Sequence, residues 1–438
     1  MTAVSSPPIT GEAPSVERSA PPRTGVLLGA QLLFNVGFFA VVPFLAGVLR
    51  EDFALAGAAV GLVLGLRTAA QQGLFLVGGA LADRFGARAL ILAGCAVRVG
   101  GFALLAWSVG APAVPPGSAL ALFVLGTVLT GMGGALFSPA LEALVARADA
   151  VRADTRPRRS TLFALLAVVG ETGAAVGPLL GALLLGWGFA AVAASGAALF
   201  ALVALGLSRL LPRDGRLPPR DAGRGRVGDA AVPRPGARPF AVLRDRRFLA
   251  LAVLASVNLL AYNQLYLGLP VELDRVGAGV DALALLFAWI SALTIALQLS
   301  VARLARRWGE GRALRLGYLL LAAAFAVLAA AAPIPPAPDL AALAPAVVAT
   351  GLLTLGHLVL GPTVLSLVPR FGPEPRWGSY YGLLATCGGV AVLLGNAGLG
   401  ALYVGAAEAV PVAAIPWTVL ALLPLLPAWL VPRLLPAP

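Results

Sequence analysis

The sequence predicts an all-α membrane protein of twelve transmembrane helices in two pseudo-symmetric six-helix bundles. Three observations predict it. Runs of about 20 apolar residues, the length that crosses a bilayer as a helix, recur along the whole chain. Arginines collect in alternate loops. Local features also repeat at a fixed distance: Leu81 and Leu304 are 223 residues apart, as are Pro139 and Pro362, while Ser160 and Ser379 are 219 apart.

The composition excludes the soluble classes. The chain of 438 residues is 59% hydrophobic and 12% charged, too little polar surface to coat a soluble core. All 32 basic residues are arginine, which reads as codon bias alongside the Ala and Gly richness. The net charge of +12 is a topology signal, because cytoplasmic loops gather basic residues. Cys95 and Cys387 fall inside predicted spans, so no disulfide is expected and a structural zinc site has too few ligands. No metal and no cofactor is expected. No nucleotide-binding loop is visible, which argues against ATP-driven chemistry.

Taken in order, residues 1–22 are rich in Pro, Ser and Thr without an apolar core, and read as a disordered cytoplasmic tail. Spans follow at 25–49, 55–82, 89–110, 118–145, 160–187 and 189–211, the first bundle covering 23–211. Residues 212–247 are rich in Arg, Pro and Gly and read as a cytoplasmic linker near anionic lipid. The linker lacks the aromatic interleaving of a nucleic-acid surface, so no nucleic-acid partner is expected. The second bundle, 248–438, holds spans at 248–272, 281–304, 313–332, 340–368, 378–404 and 412–433. Inner loops carry Arg84, Arg88, Arg147 to Arg159, Arg303 to Arg315, Arg370 and Arg376. Outer loops carry Arg50 and Arg275 against Glu51, Asp52, Glu272, Asp274, Asp281, Asp339 and Glu408. Both termini are therefore expected in the cytoplasm.

Residues 79–88, Gly-Ala-Leu-Ala-Asp-Arg-Phe-Gly-Ala-Arg, form a charged Gly-turn between two apolar runs. Leu304 to Leu314 repeats it in eroded form, with Arg306 in the place of Asp83. Gly79, Leu81, Asp83, Arg84, Gly86 and Arg88 match the helix 2–3 loop of the major facilitator superfamily, which the chain resembles. Facilitator halves are parallel repeats with the substrate cavity at their interface. The resemblance implies that this loop is a conformational latch. Asp83 would face the N-terminus of helix 11 near Gly378 and Ser379, where the helix dipole favours its charge. Arg84 or Arg88 would pair with Glu142.

Span 5 contains Gly173-Ala-Ala-Val-Gly177-Pro178-Leu-Leu-Gly181, which resembles the antiporter motif of facilitator drug:proton exchangers; Ala182 stands where the motif has a further Gly. The same residues also suit ordinary close helix packing. The stretch Gly61 to Ala103 and Gly131-Met-Gly-Gly-Ala-Leu-Phe-Ser-Pro139 resemble bacterial multidrug resistance proteins of the MdtH type. Many such antiporters carry an Arg in helix 4 where this chain holds Thr127.

An ionisable residue at mid-membrane is costly and marks a functional candidate. Glu171 is the only deep carboxylate and the candidate proton carrier; Arg67 and Arg98 are its candidate partners, either as a switch or as a structural pair. Gln31 and Asn35 share a face of span 1. Arg67 and Gln71 share one of span 2, and Asn258, Tyr262 and Tyr266 share one of span 7. With His357 in span 10, these polar residues are candidate cavity contacts, or simply interhelical hydrogen-bonding groups. Trp289 and Gln298 in span 8 are weaker candidates. The expectation is a monomeric, proton-coupled exporter of small lipophilic compounds in a bacterial inner membrane. Its partners are a small-molecule substrate, protons and the bilayer. Nutrient uptake and a non-transporting sensor are the alternatives.

Overall fold

The computed structural model describes residues 23–55, 57–110, 115–155, 162–211, 240–278, 280–334, 340–408 and 413–435. The tail 1–22, Ser160, Asp339 and the linker up to 239 lie outside the described residues. Among the described residues twelve long helices make up the fold: α1 (Thr24–Glu51), α2 (Gly57–Phe85), α3 (Ala87–Gly110), α4 (Pro116–Thr155), α5 (Leu162–Leu185) and α6 (Phe189–Leu210) in the first half. The second half holds α7 (Arg246–Arg275), α8 (Val280–Trp308), α9 (Glu310–Ala331), α10 (Ala344–Leu367), α11 (Trp377–Glu408) and α12 (Ile415–Leu434). Eleven stretches among the described residues are long and apolar enough to cross a membrane, and α2, 29 residues long, packs between them. Three helices are interrupted: α1 by a 3-10 turn at Val42–Phe44, α7 between Asn263 and Gly268, and α12 between Leu422 and Leu425. The outer faces carry large exposed apolar side chains such as Leu62, Leu179, Leu183, Leu202, Leu285 and Leu394. Bare leucine on every side is stable only against lipid.

The packing repeats with a shift of six helices. In the first half α1 lies along α5, α2 along α4, α3 along α4 and α3 along α6. In the second, α7 lies along α11, α8 along α10, α9 along α10 and α9 along α12. Across the halves, α2 packs on α11 and α5 on α8, the same rule applied once more.

The charged segment after α2 is more helical than its sequence suggests. Asp83, Arg84 and Phe85 complete the last turn of α2, and Gly86 alone separates it from α3. Gly86 has φ +93°, and Gly309, 223 residues on and between α8 and α9, has φ +83°. A Cβ is strained in that region, so glycine is the residue that lets two long helices meet at a one-residue corner. Pro139 and Pro362 sit inside α4 and α10, because α4 continues to Thr155 and α10 to Leu367.

Candidate functional site: the seam between the halves

At one end of the molecule Asp83 caps α11. Its Oδ1 accepts from the Gly378 amide at 2.8 Å, and Oδ2 accepts from the Ser379 amide at 2.7 Å and from the Ser379 hydroxyl. These are orphan amides of a helix N-terminus, where a carboxylate is favoured by charge and by hydrogen bonding. Gly79 allows the approach: a Cβ there would stand 2.0 Å from the Gly378 carbonyl oxygen. The seam continues along both helices. The Leu76 amide donates to the Thr386 hydroxyl at 3.0 Å, and that hydroxyl donates to the Gln72 carbonyl at 3.2 Å. A Cβ on Gly382 would meet the Phe75 carbonyl oxygen at 2.4 Å, and one on Gly389 would meet Gln72.

The expected pairing of Arg84 or Arg88 with Glu142 is not formed among the described residues. The Arg88 guanidinium donates instead to the Ser208 carbonyl at the end of α6, and that of Arg84 stands 5.2 Å from the Phe85 ring centroid. The cross-half ion pair at this end belongs to Arg147 of α4, 3.3 Å from Glu374 just before α11. Arg147 also acts electrostatically on Asp83. Because α4 runs past position 145, where the hydrophobic pattern ends, Arg147 is a helical residue with a fixed direction and not part of a loop.

The Gly-x3-Gly-Pro-x2-Gly segment forms the seam between α5 and α1. Cβ atoms on Gly173, Gly177 and Gly181 would stand 2.8 Å from Leu32 O, 2.9 Å from Val36 O and 2.1 Å from Ala40 O. Pro178 lies within α5 beside this stripe. Asn35 stitches the same seam by donating to the Gly170 carbonyl at 2.8 Å, and Gln31 donates to Asn35 at 3.1 Å. The Asn35 amide is thus occupied in the seam.

Glu171 makes no ion pair with Arg67 or Arg98; its electrostatic partners are Tyr262 and Tyr266 of α7, in the other half. Tyr262 stacks on His357 of α10, with ring centroids 4.0 Å apart and planes 18° apart. His357 Nδ1 lies 3.2 Å from Asn258 Oδ1. A carbonyl oxygen can only accept, so Nδ1 carries the proton in this contact. Tyr266 is exposed, its ring 5.3 Å from Phe287. Trp289 is exposed, whereas Gln298 is buried and donates to the Leu358 carbonyl at 3.1 Å.

Arg67, Arg98 and Gln71 gather instead against α4. Gly131 makes room for Arg67, Gly133 for Arg98, and Gly134 for Arg98 and Gln71. The Gly-Met-Gly-Gly run is therefore a cradle for two arginines. A hydrogen-bonded cluster not apparent from the sequence joins α7 to α11. Asn396 of α11 donates to Asn263 at 2.7 Å, Gln264 donates to Asn396 at 3.1 Å, and Tyr403 donates to Gln264 at 3.1 Å, bridging the interruption in α7. The adjacent Asn263-Gln264 pair in an apolar span was its only signal. A cavity of about 290 Å³ opens between α4, α5, α8 and α10, lined by Asp149, Phe163, Arg306, Ser366 and Arg370 among others.

Comparison with known proteins decides the family, since the model of the Major Facilitator Superfamily matches residues 27–436. The chain belongs to the major facilitator superfamily. This facilitator is 33% identical over 384 residues to an MFS-type transporter of Mycobacterium tuberculosis (strain ATCC 25618 / H37Rv), covering 86% of this chain and 85% of the relative. It is 32% identical over 378 residues to multidrug resistance protein MdtH of Aeromonas hydrophila, covering 85% of each. The MdtH of Klebsiella pneumoniae (strain 342) is 31% identical over 399 residues, with 90% and 89% covered. Among solved structures, the proton:xylose symporter XylE superposes with a TM-score of 0.67 at 16% identity, over 94% of this chain and 95% of that one. The human organic anion transporter MFSD10 superposes at 0.63 and 20% identity, over 93% and 98%. This facilitator is a multi-pass membrane transporter and not an enzyme.

Proposed function

We propose that this facilitator exports small, largely apolar compounds in exchange for protons, by alternating access between its two six-helix halves. The observation that carries the coupling is Glu171: a carboxylate in the middle of α5, without an arginine partner among the described residues, within electrostatic reach of Tyr262 and Tyr266 of the opposite half. A carboxylate so placed changes its interaction with α7 when it takes up a proton, which is the differential interaction a coupled transition requires. The likeness to MdtH multidrug resistance proteins over most of the chain supports efflux and drug-like cargo.

In this reading the Asp83 contact with α11 closes the cytoplasmic end, and its rupture opens the cavity inward. The test is dye efflux from cells lacking other exporters, with and without a protonophore. Expression of this protein lowers retained dye, and the protonophore restores it. Dye retention that expression leaves unchanged, or dye accumulation driven by the proton gradient, contradicts export.

A further inference from the structure

We infer that Arg67 and Arg98 form a binding site for a single anionic group, a carboxylate or similar monoanion, inside the first half. Arg98 is 1% exposed. Its guanidinium carbon stands 3.9 Å from the Phe34 ring centroid, 4.6 Å from Phe38 and 5.1 Å from Phe200, and that of Arg67 stands 4.9 Å from Phe38. The two cations share Phe38 and repel each other electrostatically.

Aromatic contacts attract a guanidinium through the ring quadrupole and leave its in-plane N–H groups needing acceptors. Arg67 Nη1, Arg98 Nε and Arg98 Nη1 are buried without a hydrogen-bond partner among the described residues. None of the described carboxylates forms an ion pair with either arginine. One unpaired buried charge already costs several kcal/mol, and two like charges side by side cost more. A monoanion between them supplies the missing acceptors and lowers the net charge of the pair from two to one. The arginine fork suits an oxyanion, which it grips through parallel N–H bonds.

The cradle is built for cations of this size: a Cβ on Gly133 would stand 2.5 Å from Arg98 Cγ, and one on Gly134 would stand 2.7 Å from Arg98 Nη2. The phenylalanines favour an anion carried on an apolar or aromatic body. That this anion belongs to the cargo rests on the transport reading; that the pair binds an anion does not.

The test uses the full-length protein, purified in uncharged detergent and chloride-free buffer. Its unfolding temperature is followed while benzoate, the neutral benzamide, or chloride is titrated in. Benzoate raises the unfolding temperature of the wild type and benzamide does not. Arg67→Gln weakens the apparent benzoate affinity about tenfold or more, the loss expected with a charge-assisted hydrogen bond. Protection by benzoate beyond that of chloride assigns the site to an organic carboxylate, and equal protection assigns it to a free inorganic anion; both support the anion site. The inference is overturned if no anion shifts the wild type, or if Arg67→Gln responds as the wild type does. Arg67→Gln is the deciding variant because Arg67 sits at the less buried edge of the pair, whereas Arg98→Gln risks the fold. Benzoate binding in a protein that exports no dye leaves this inference standing and contradicts only the export reading.

Discussion

Asp83 accepts hydrogen bonds from two backbone amides and a hydroxyl across the seam between the halves. Asp83→Asn keeps one acceptor oxygen and turns an N–H group toward donors, losing charge-assisted bonds of about 1.5–3 kcal/mol each. The contact joins α2 to α11, so its loss acts on the balance between conformations more than on folding. We expect Asp83→Asn to insert normally and to transport at about one-tenth of the wild-type rate or less. Ser379→Ala keeps both amides and falls between the two. Export assays on matched amounts of membrane protein check both; wild-type export by Asp83→Asn contradicts the latch role. The Asp83 contact was legible in the sequence because residue types and spacing carry the motif. The Arg147–Glu374 pair was not, and the expected Glu142 pairing failed, because the directions of Arg88 and Arg147 are set by how far α4 and α6 continue, which hydropathy does not specify.

At the scale of elements, glycine stripes decide which helices touch. Ala40 O would lie 2.1 Å from a Cβ on Gly181, and a backbone oxygen cannot move aside without separating α5 from α1. Gly181→Val should therefore lower the yield and the unfolding temperature of the purified protein. Gly65, in α2, has nothing within 4 Å of an added Cβ, so Gly65→Ala should be neutral or stabilise by about 0.5–1 kcal/mol through reduced backbone freedom. Thermal unfolding of both variants in one detergent checks the contrast, and equal losses would contradict the seam. The α5 stripe was readable as close packing or as the antiporter motif. Its neighbour became clear only when Leu32, Val36 and Ala40 proved to line the other side. Gly382 and Gly389 were not readable, since their partners, Phe75 and Gln72, lie more than 300 residues away in sequence.

For the whole molecule, the shift by six helices follows the sequence repeat: Gly86 and Gly309 turn the same corner in the two halves. From the arginine placement we propose that both termini lie in the cytoplasm. A reporter fused after Pro438 should be active inside the cell; activity confined to the outside would reverse the orientation. The two halves meet at the α2–α11 and α5–α8 seams, and Glu171 lies within electrostatic reach of Tyr262 and Tyr266 across this division. The most direct measurement of the central claim is substrate-induced proton movement in reconstituted vesicles, comparing the wild type with Glu171→Gln. The wild type should move protons when substrate is added. Glu171→Gln, fixed in a neutral form, should move none while keeping downhill substrate exchange. Normal proton movement by Glu171→Gln would contradict the account.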